Sequence, residues 1–293
     1  MNTIIAMDKS GSYRVYLTIT TELVQKSREI HHTSNVTTAA LGRTLTAAGL
    51  MGLMLKGETD KLSLIFKGDG PAEEVLATGY ANGDVKGFVA APNVEMPLKQ
   101  NGHLDVGGAI GKGSLTVIKD LGLKEPYVGR IDLVSGEIAE DLTQYFAVSE
   151  QQPSSVALGV RIEPDGEISA AGGFVVQVLP NAKEEALSKL EDALFFMDAL
   201  TLLIQDAGNP RMLLNLIFKD IPDEYKPEVL EERNIQWNCN CSKDKMADAL
   251  VSIGKKELAK IIEEDGKAEL SCQFCRSAYS FTKEELMELL KNA

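Results

Sequence analysis

Cys239-Asn240-Cys241 and Cys272-Gln273-Phe274-Cys275 hold every cysteine of the chain. Residues 242–271 separate the two pairs and carry a mostly helical pattern. Two short-spaced pairs brought together across one folded spacer suit a tetrahedral metal, because each pair supplies one edge of the tetrahedron. Four thiolates with no histidine nearby in sequence favour zinc; His31, His32 and His103 all lie far upstream. A disulfide framework is the competing reading. It fits poorly, because such scaffolds are short and cysteine-dense, and a chain of 293 residues with four cysteines is neither. On spacing alone the metal is a structural staple. A bridge within Cys-x-Cys, however, would close a very small, strained ring that is easily reduced. Metal-bound thiolates stay deprotonated, the form that oxidants attack, and Arg276 adds positive charge beside Cys275. A site of this kind permits loss of metal to peroxide and recovery on reduction.

Around the cysteines the pattern predicts helices over 242–253 and 255–264, a turn at Asp265-Gly266, and two short strands flanking the second pair. Thr282 and Glu285 have the spacing of a capping box for a last helix. This module, placed at 233–293, has few large apolar residues and cannot bury much core. Metal binding then supplies much of its folding free energy, about 10–16 kcal/mol for structural zinc in small peptides. Trp237, two residues before Cys239, is the only tryptophan and is expected to pack at least partly against the module. Zinc ribbons often bind nucleic acid, but residues 236–293 hold nine Lys/Arg and ten Asp/Glu, with no basic stripe.

Upstream, 181–232 reads as a helical linker. Asn181 is placed to cap a helix with Glu184 at its third position, and Gly208 to end it. Leu190, Leu194, Phe195, Phe196, Leu203 and Ile204 lie between them, and Asn209-Pro210 opens a second helix carrying Leu213, Leu214 and Ile217. These helices are too apolar to stand free in water; they either complete a core or form a surface that is covered and can be released. Residues 222–236 are charged and proline-containing, a linker without a strong core.

Residues 1–180 read as an α+β domain with a largely antiparallel sheet covered by helices. Alternation at Tyr13, Val15, Leu17 and Ile19 marks a strand. Residues 21–56 are helical with a break near Thr33-Ser34-Asn35, and the second half is rich in Ala, Gly and Thr, which permits close packing. Hairpins are expected across Asn82-Gly83 and Pro164-Asp165-Gly166. Gly107-Gly108-Ala109-Ile110-Gly111-Lys112-Gly113-Ser114 superficially matches a phosphate loop. Its spacing fails, and a strand follows where a helix N-terminus is required, so it reads as a flexible turn. No Gly-x-Ser-x-Gly elbow and no His-Glu-x-x-His occurs here, and the His31-His32 pair at a helix end reads as solvated.

The net charge of −13 argues against a nucleic-acid partner, since phosphate binding needs a basic field. No run of eighteen apolar residues exists, Arg43 interrupting the longest candidate, and the N-terminus lacks the basic region of a signal peptide. A cytoplasmic protein without membrane partners is expected.

Several stretches resemble the 33 kDa chaperonin family, the redox-regulated heat-shock holdases. They are Gly79-Tyr80-Ala81-Asn82-Gly83-Asp84-Val85-Lys86-Gly87, Gly111-Lys112-Gly113 through Lys119-Asp120, and Gly172-Gly173-Phe174 through Gln177-Val178-Leu179-Pro180. Most specific is Cys239-x-Cys241-Ser242 followed by Cys272-x-Phe274-Cys275. The resemblance implies an ATP-independent holdase, not an enzyme, that is inactive while reduced and zinc-bound. It further implies that oxidation links Cys239 to Cys241 and Cys272 to Cys275, expels zinc, and unfolds the terminal module with its linker. Active members are dimers that hold unfolding client proteins. The alternative is a zinc-ribbon binding module appended to an enzyme domain; it requires a basic face or a catalytic constellation that the sequence does not supply.

Overall fold

The computed structural model describes residues 1–292. The chain divides into two compact units, Met1–Trp237 and Asn238–Ala293. In the larger unit β1 (Thr3–Asp8) and β2 (Tyr13–Ile19) precede α1 (Thr21–His31) and α2 (Asn35–Gly52). Next come β3 (Lys61–Gly68), β4 (Glu74–Tyr80), β5 (Asp84–Val89), the one-turn α3 (Val106–Ile110), β6 (Gly113–Asp120) and β7 (Tyr127–Asp132). Helix α4 (Ala139–Val148) leads to the hairpin of β8 (Ser154–Ile162) and β9 (Ile168–Val178). The unit ends with α5 (Glu184–Phe195), α6 (Leu200–Ala207), α7 (Pro210–Ile217), β10 (Pro227–Arg233) and β11 (Gln236–Trp237). The smaller unit contains α8 (Lys243–Ser252), α9 (Lys255–Glu264), β12 (Lys267–Ser271), β13 (Ala278–Thr282) and α10 (Lys283–Asn292).

The fold is α+β. One sheet runs β10-β1-β2-β9-β8 and the other β11-β5-β4-β3-β6-β7. Every pairing is antiparallel except the short β11–β5 contact. Helix α2 lies between the sheets, packing on β3, β4 and β5 of one and β2, β8 and β9 of the other. All its residues except Asn35 and Arg43 are buried. Its small side chains explain how it fits: a Cβ on Gly79 of β4 would lie 1.9 Å from the Ala48 carbonyl oxygen. The threonine hydroxyls of this buried helix donate back to the preceding turn, Thr44 to Ala40 O and Thr46 to Gly42 O, both at 2.8 Å. Arg43 pairs with Glu137 at 2.7 Å.

The strand alternation sorts side chains between two cores. Ile5 and Tyr16 face the α2 side, whereas Ile4, Ala6, Tyr13, Val15 and Leu17 face a second cluster built with α5, α6 and α7. Both faces of the first sheet are therefore covered, and β2 is buried on both, with only Arg14 and Ile19 partly exposed. No helix among the described residues is long and apolar enough to cross a membrane.

Several expectations change. Residues 181–232 do not form a separate linker: α5–α7 complete the second core, and β10 extends the first sheet by pairing with β1. The charged stretch 222–236 thus contains an edge strand, on which Glu228 and Glu231 are exposed to solvent. Asn181 has φ +64°, outside the extended conformation a cap requires, and Lys183 takes the N-cap position instead. The single helix expected to Gly208 is broken at 196–199; the change of direction lets Leu200, Leu203 and Ile204 bury against the first sheet. His32 is solvated, but His31 is buried and meets Trp237 edge-on, with ring centroids 5.9 Å apart. The glycine-rich stretch at 107–114 includes one helical turn, capped by Asp105 accepting from Gly108 N–H at 2.9 Å, before β6 begins.

Candidate metal centre

Cys239 and Cys241 lie on an arm outside any helix or strand, between β11 and α8. Ser242 closes this arm by capping α8, accepting from Lys245 N–H at 3.3 Å, while Lys245 Nζ donates to Asn240 O at 2.6 Å. The second pair sits on the β12–β13 turn. There Cys272 N–H donates to Ser277 O at 2.9 Å and Arg276 N–H to Cys272 O at 2.8 Å, with Arg276 left-handed at φ +60°. This turn aims both sulfurs to one side of the hairpin, because consecutive amides and carbonyls close on each other rather than on a partner strand.

The four Sγ atoms all lie within 4.8 Å of one another, with Cys241 to Cys275 at 3.3 Å and Cys239 to Cys272 at 3.7 Å. Tetrahedral zinc–thiolate bonds of about 2.3 Å imply sulfur separations of about 3.8 Å, so the cluster has the size of a four-sulfur site. Among the described residues, no histidine or carboxylate joins it. The four cysteines singled out by spacing are thus brought together, and His31, His32 and His103 are not.

Two hydroxyls that the sequence did not flag reach the cluster. Tyr279 Oη is 3.1 Å from Cys241 Sγ, and Ser277 Oγ is 3.2 Å from Cys275 Sγ. Their positions follow from strand geometry: Tyr279 lies on β13 opposite Leu270, and Ser277 closes the turn before it. In a pattern scan both look like ordinary strand and turn residues.

Without a cation the four thiols do not ionise together. Burial, together with hydrogen bonds among the sulfurs, pushes Cys239 up to about 12. Burial also raises Cys241. Burial opposes ionisation of Cys275 as well, but hydrogen bonding with the side chain and backbone of Ser277 and with the Cys241 and Cys239 sulfurs outweighs it and draws that thiol down to about 6. The contact with Cys241 raises the Tyr279 phenol to about 12, so Tyr279 keeps its proton. The unit around the site has a small core: Leu250, Leu258, Ile262, Phe281 and Leu286. Lys243 ties the start of α8 to the start of α10 through Glu285 at 2.5 Å and lies over the Phe281 ring. Thr282 and Glu285 form the capping box, with Thr282 N–H donating to Glu285 at 2.9 Å.

Trp237 does not belong to this unit. It pairs in parallel with Val85 of β5, packs against the α2-side core and contacts His31.

Comparison with known proteins extends the picture over the whole chain. A family model described as Hsp33 protein matches residues 2–282. The 33 kDa chaperonin of Clostridioides difficile (strain 630) is 48% identical over 287 residues, covering 98% of this chain and 97% of the relative. That of Alkaliphilus oremlandii (strain OhILAs) is 47% identical over 281 residues, covering 96% and 93%. The crystal structure of the 33 kDa chaperonin (heat shock protein 33 homolog) from Thermotoga maritima superposes with a TM-score of 0.88. It is 38% identical and covers 99% of this chain and 98% of that one. Sequence and fold agree over nearly the whole chain, and the chain belongs to the Hsp33 family of 33 kDa chaperonins.

Proposed function

We propose that this chaperone is a redox-regulated, ATP-independent holdase whose switch is the terminal cysteine cluster. The observation that carries this reading is the convergence of four sulfurs within 4.8 Å in a unit whose apolar core, among the described residues, is a cluster of five buried side chains. Cys239, Cys241, Cys272 and Cys275 would hold one zinc ion, a cation suited to four sulfur donors. Zinc, when bound, keeps the sulfurs as thiolates and contributes the folding energy that so small a core lacks. Oxidation by peroxide joins Cys239 to Cys241 and Cys272 to Cys275. Each bridge gives two electrons to one peroxide, which takes up two protons and leaves as two waters. The thiolates that hold the metal are then gone, and the unit loses its folding support.

Apolar surface released in this way binds unfolding client proteins. The segment 182–218 contributes to it: Phe195 and Phe196 already stand 81% and 78% exposed at the end of α5. The active form is a homodimer in the cytoplasm; the acidic charge makes nucleic acid an unsuitable partner. Light scattering by a thermally unfolding client, with reduced zinc-loaded, peroxide-treated and re-reduced protein, tests this. Suppression should appear on oxidation and disappear on reduction with zinc. Equal suppression in all three states contradicts a redox switch. Cys272→Ser should lose zinc to a competing chelator that leaves the parent loaded; full retention removes Cys272 from the ligand set.

A further inference from the structure

The two arms of the cysteine cluster are held differently. Cys272 and Cys275 lie on a turn closed by its own backbone hydrogen bonds, whereas Cys239 and Cys241 lie on an arm outside regular structure. Tyr279 reaches across from β13 to the second of these, its Oη 3.1 Å from Cys241 Sγ and 38 residues away in sequence. A thiolate in a four-sulfur site has no proton to give, so the phenol is the donor. The ring is fixed by the β12–β13 pairing and by packing on the Phe281 core, so the hydroxyl is delivered by a rigid strand. Ser277, which contacts Cys275 at 3.2 Å, is an exposed turn residue whose hydroxyl water can replace.

We propose that Tyr279 is a positioning residue of the metal site: its O–H donation fixes Cys241 on the irregular arm and makes it the guarded sulfur of the four. The inference rests on the cysteines being a metal-holding redox switch. The hydrogen bond occupies a sulfur lone pair, lowering the sulfur's nucleophilicity toward peroxide. In the guarded step, Cys241 sulfur attacks one peroxide oxygen, an S–O bond forms as the O–O bond breaks, and hydroxide leaves. A neighbouring thiolate then displaces hydroxide from the sulfenic acid to form the S–S bond.

The test uses the full chain, reduced and zinc-loaded, as parent, Tyr279→Phe and Ser277→Ala. Phenylalanine keeps the packed ring and removes only the hydroxyl; circular dichroism of the zinc-saturated proteins verifies the fold. Zinc transfer to a chromophoric chelator should be about 10–100-fold more favourable in Tyr279→Phe, the range for loss of an outer-shell partner. A brief peroxide pulse with a sulfenic-acid trap and mass spectrometry should find Cys241 the least labelled cysteine in the parent and in Ser277→Ala. In Tyr279→Phe its labelling should rise several-fold relative to Cys239, Cys272 and Cys275. A merely structural tyrosine would raise all four alike, and that outcome overturns the proposal, as does zinc transfer within about twofold of the parent. A parent that holds no zinc overturns the metal-site reading itself. A parent that holds zinc and switches with peroxide, beside an indistinguishable Tyr279→Phe, removes only the role of Tyr279.

Discussion

A four-thiol site captures a cation only by giving up protons, and here the protons are held unequally. Burial leads the causes that push Cys239 up to about 12 and also raises Cys241, so both remain protonated near neutrality. Cys275, drawn down to about 6 against its burial by Ser277 and the Cys241 and Cys239 sulfurs, is already ionised there. Zinc binding near neutral pH therefore releases at least the two protons of Cys239 and Cys241, and affinity should rise at least about a hundredfold per pH unit. Below about pH 6 the Cys275 proton competes as well, and the dependence steepens. Calorimetry in buffers of different ionisation enthalpy counts these protons; an affinity independent of pH between about 6 and 8 contradicts the assignment. Other single residues act through the backbone. Asp141 is fully buried and accepts from the amides of Val134 (2.7 Å), Ser135 (3.1 Å) and Ile138 (3.1 Å). Asp141→Ala strands those donors at about 1–3 kcal/mol each, part of which water recovers at the exposed end of the loop. A loss of about 3 kcal/mol in urea unfolding of the larger unit, with zinc retention unchanged, is the expected result. The cysteines could be read from spacing because chelation imposes a short interval. Asp141 and Tyr279 could not, because a carboxylate in the first turn of a helix and an aromatic on a strand occur everywhere; only the folded backbone gives them their partners.

Elements with their own local chemistry were legible in the same way. The Asn82-Gly83 turn joins β4 to β5, Asn209 caps α7 by accepting from Met212 N–H at 3.0 Å, and the break near Thr33-Ser34-Asn35 separates α1 from α2. Strands made only by distant pairing were not. β10 at 227–233 is short and exists by pairing with β1 across more than two hundred positions of sequence. β11 is two residues long and exists because Gln236 and Trp237 meet Asp84 and Val85. That placement changes what Trp237 reports. Its neighbours are β5, His31 and the α2-side core, all within the cysteine-free unit. Zinc removal by chelator alone, at ambient temperature, should leave its emission maximum in place. If peroxide with mild heat also unpairs β10 and β11, emission should shift to the red after zinc has left. A red shift that tracks zinc loss under chelator alone would mean that β11 depends directly on the metal site.

The two units differ in what holds them together, and this gives the molecule its asymmetry. The larger is built on two sheets around a buried helix, with two apolar clusters and no cysteine. Oxidation has no sulfur bond to make there. The smaller carries all four cysteines and, among its described residues, a core cluster of five buried apolar side chains. A structural zinc ion contributes about 10–16 kcal/mol in small peptides, at least as much as the whole net stability of a typical domain, about 5–15 kcal/mol. Loss of the metal should therefore unfold Asn238–Ala293 and leave most of Met1–Trp237 folded. Hydrogen exchange reads both at once. After peroxide and chelator, amides of α8, α9 and the β12–β13 hairpin should exchange at unfolded-chain rates, while those paired between β3 and β4 and between β8 and β9 keep their protection. Simultaneous loss of protection in the central hairpins would make the chain one cooperative unit, with no folded scaffold left to present a client. Persistent protection of β12–β13 without metal would mean that the Phe281 cluster suffices on its own, and that a chaperone switch in this chain cannot work by withdrawing the cation.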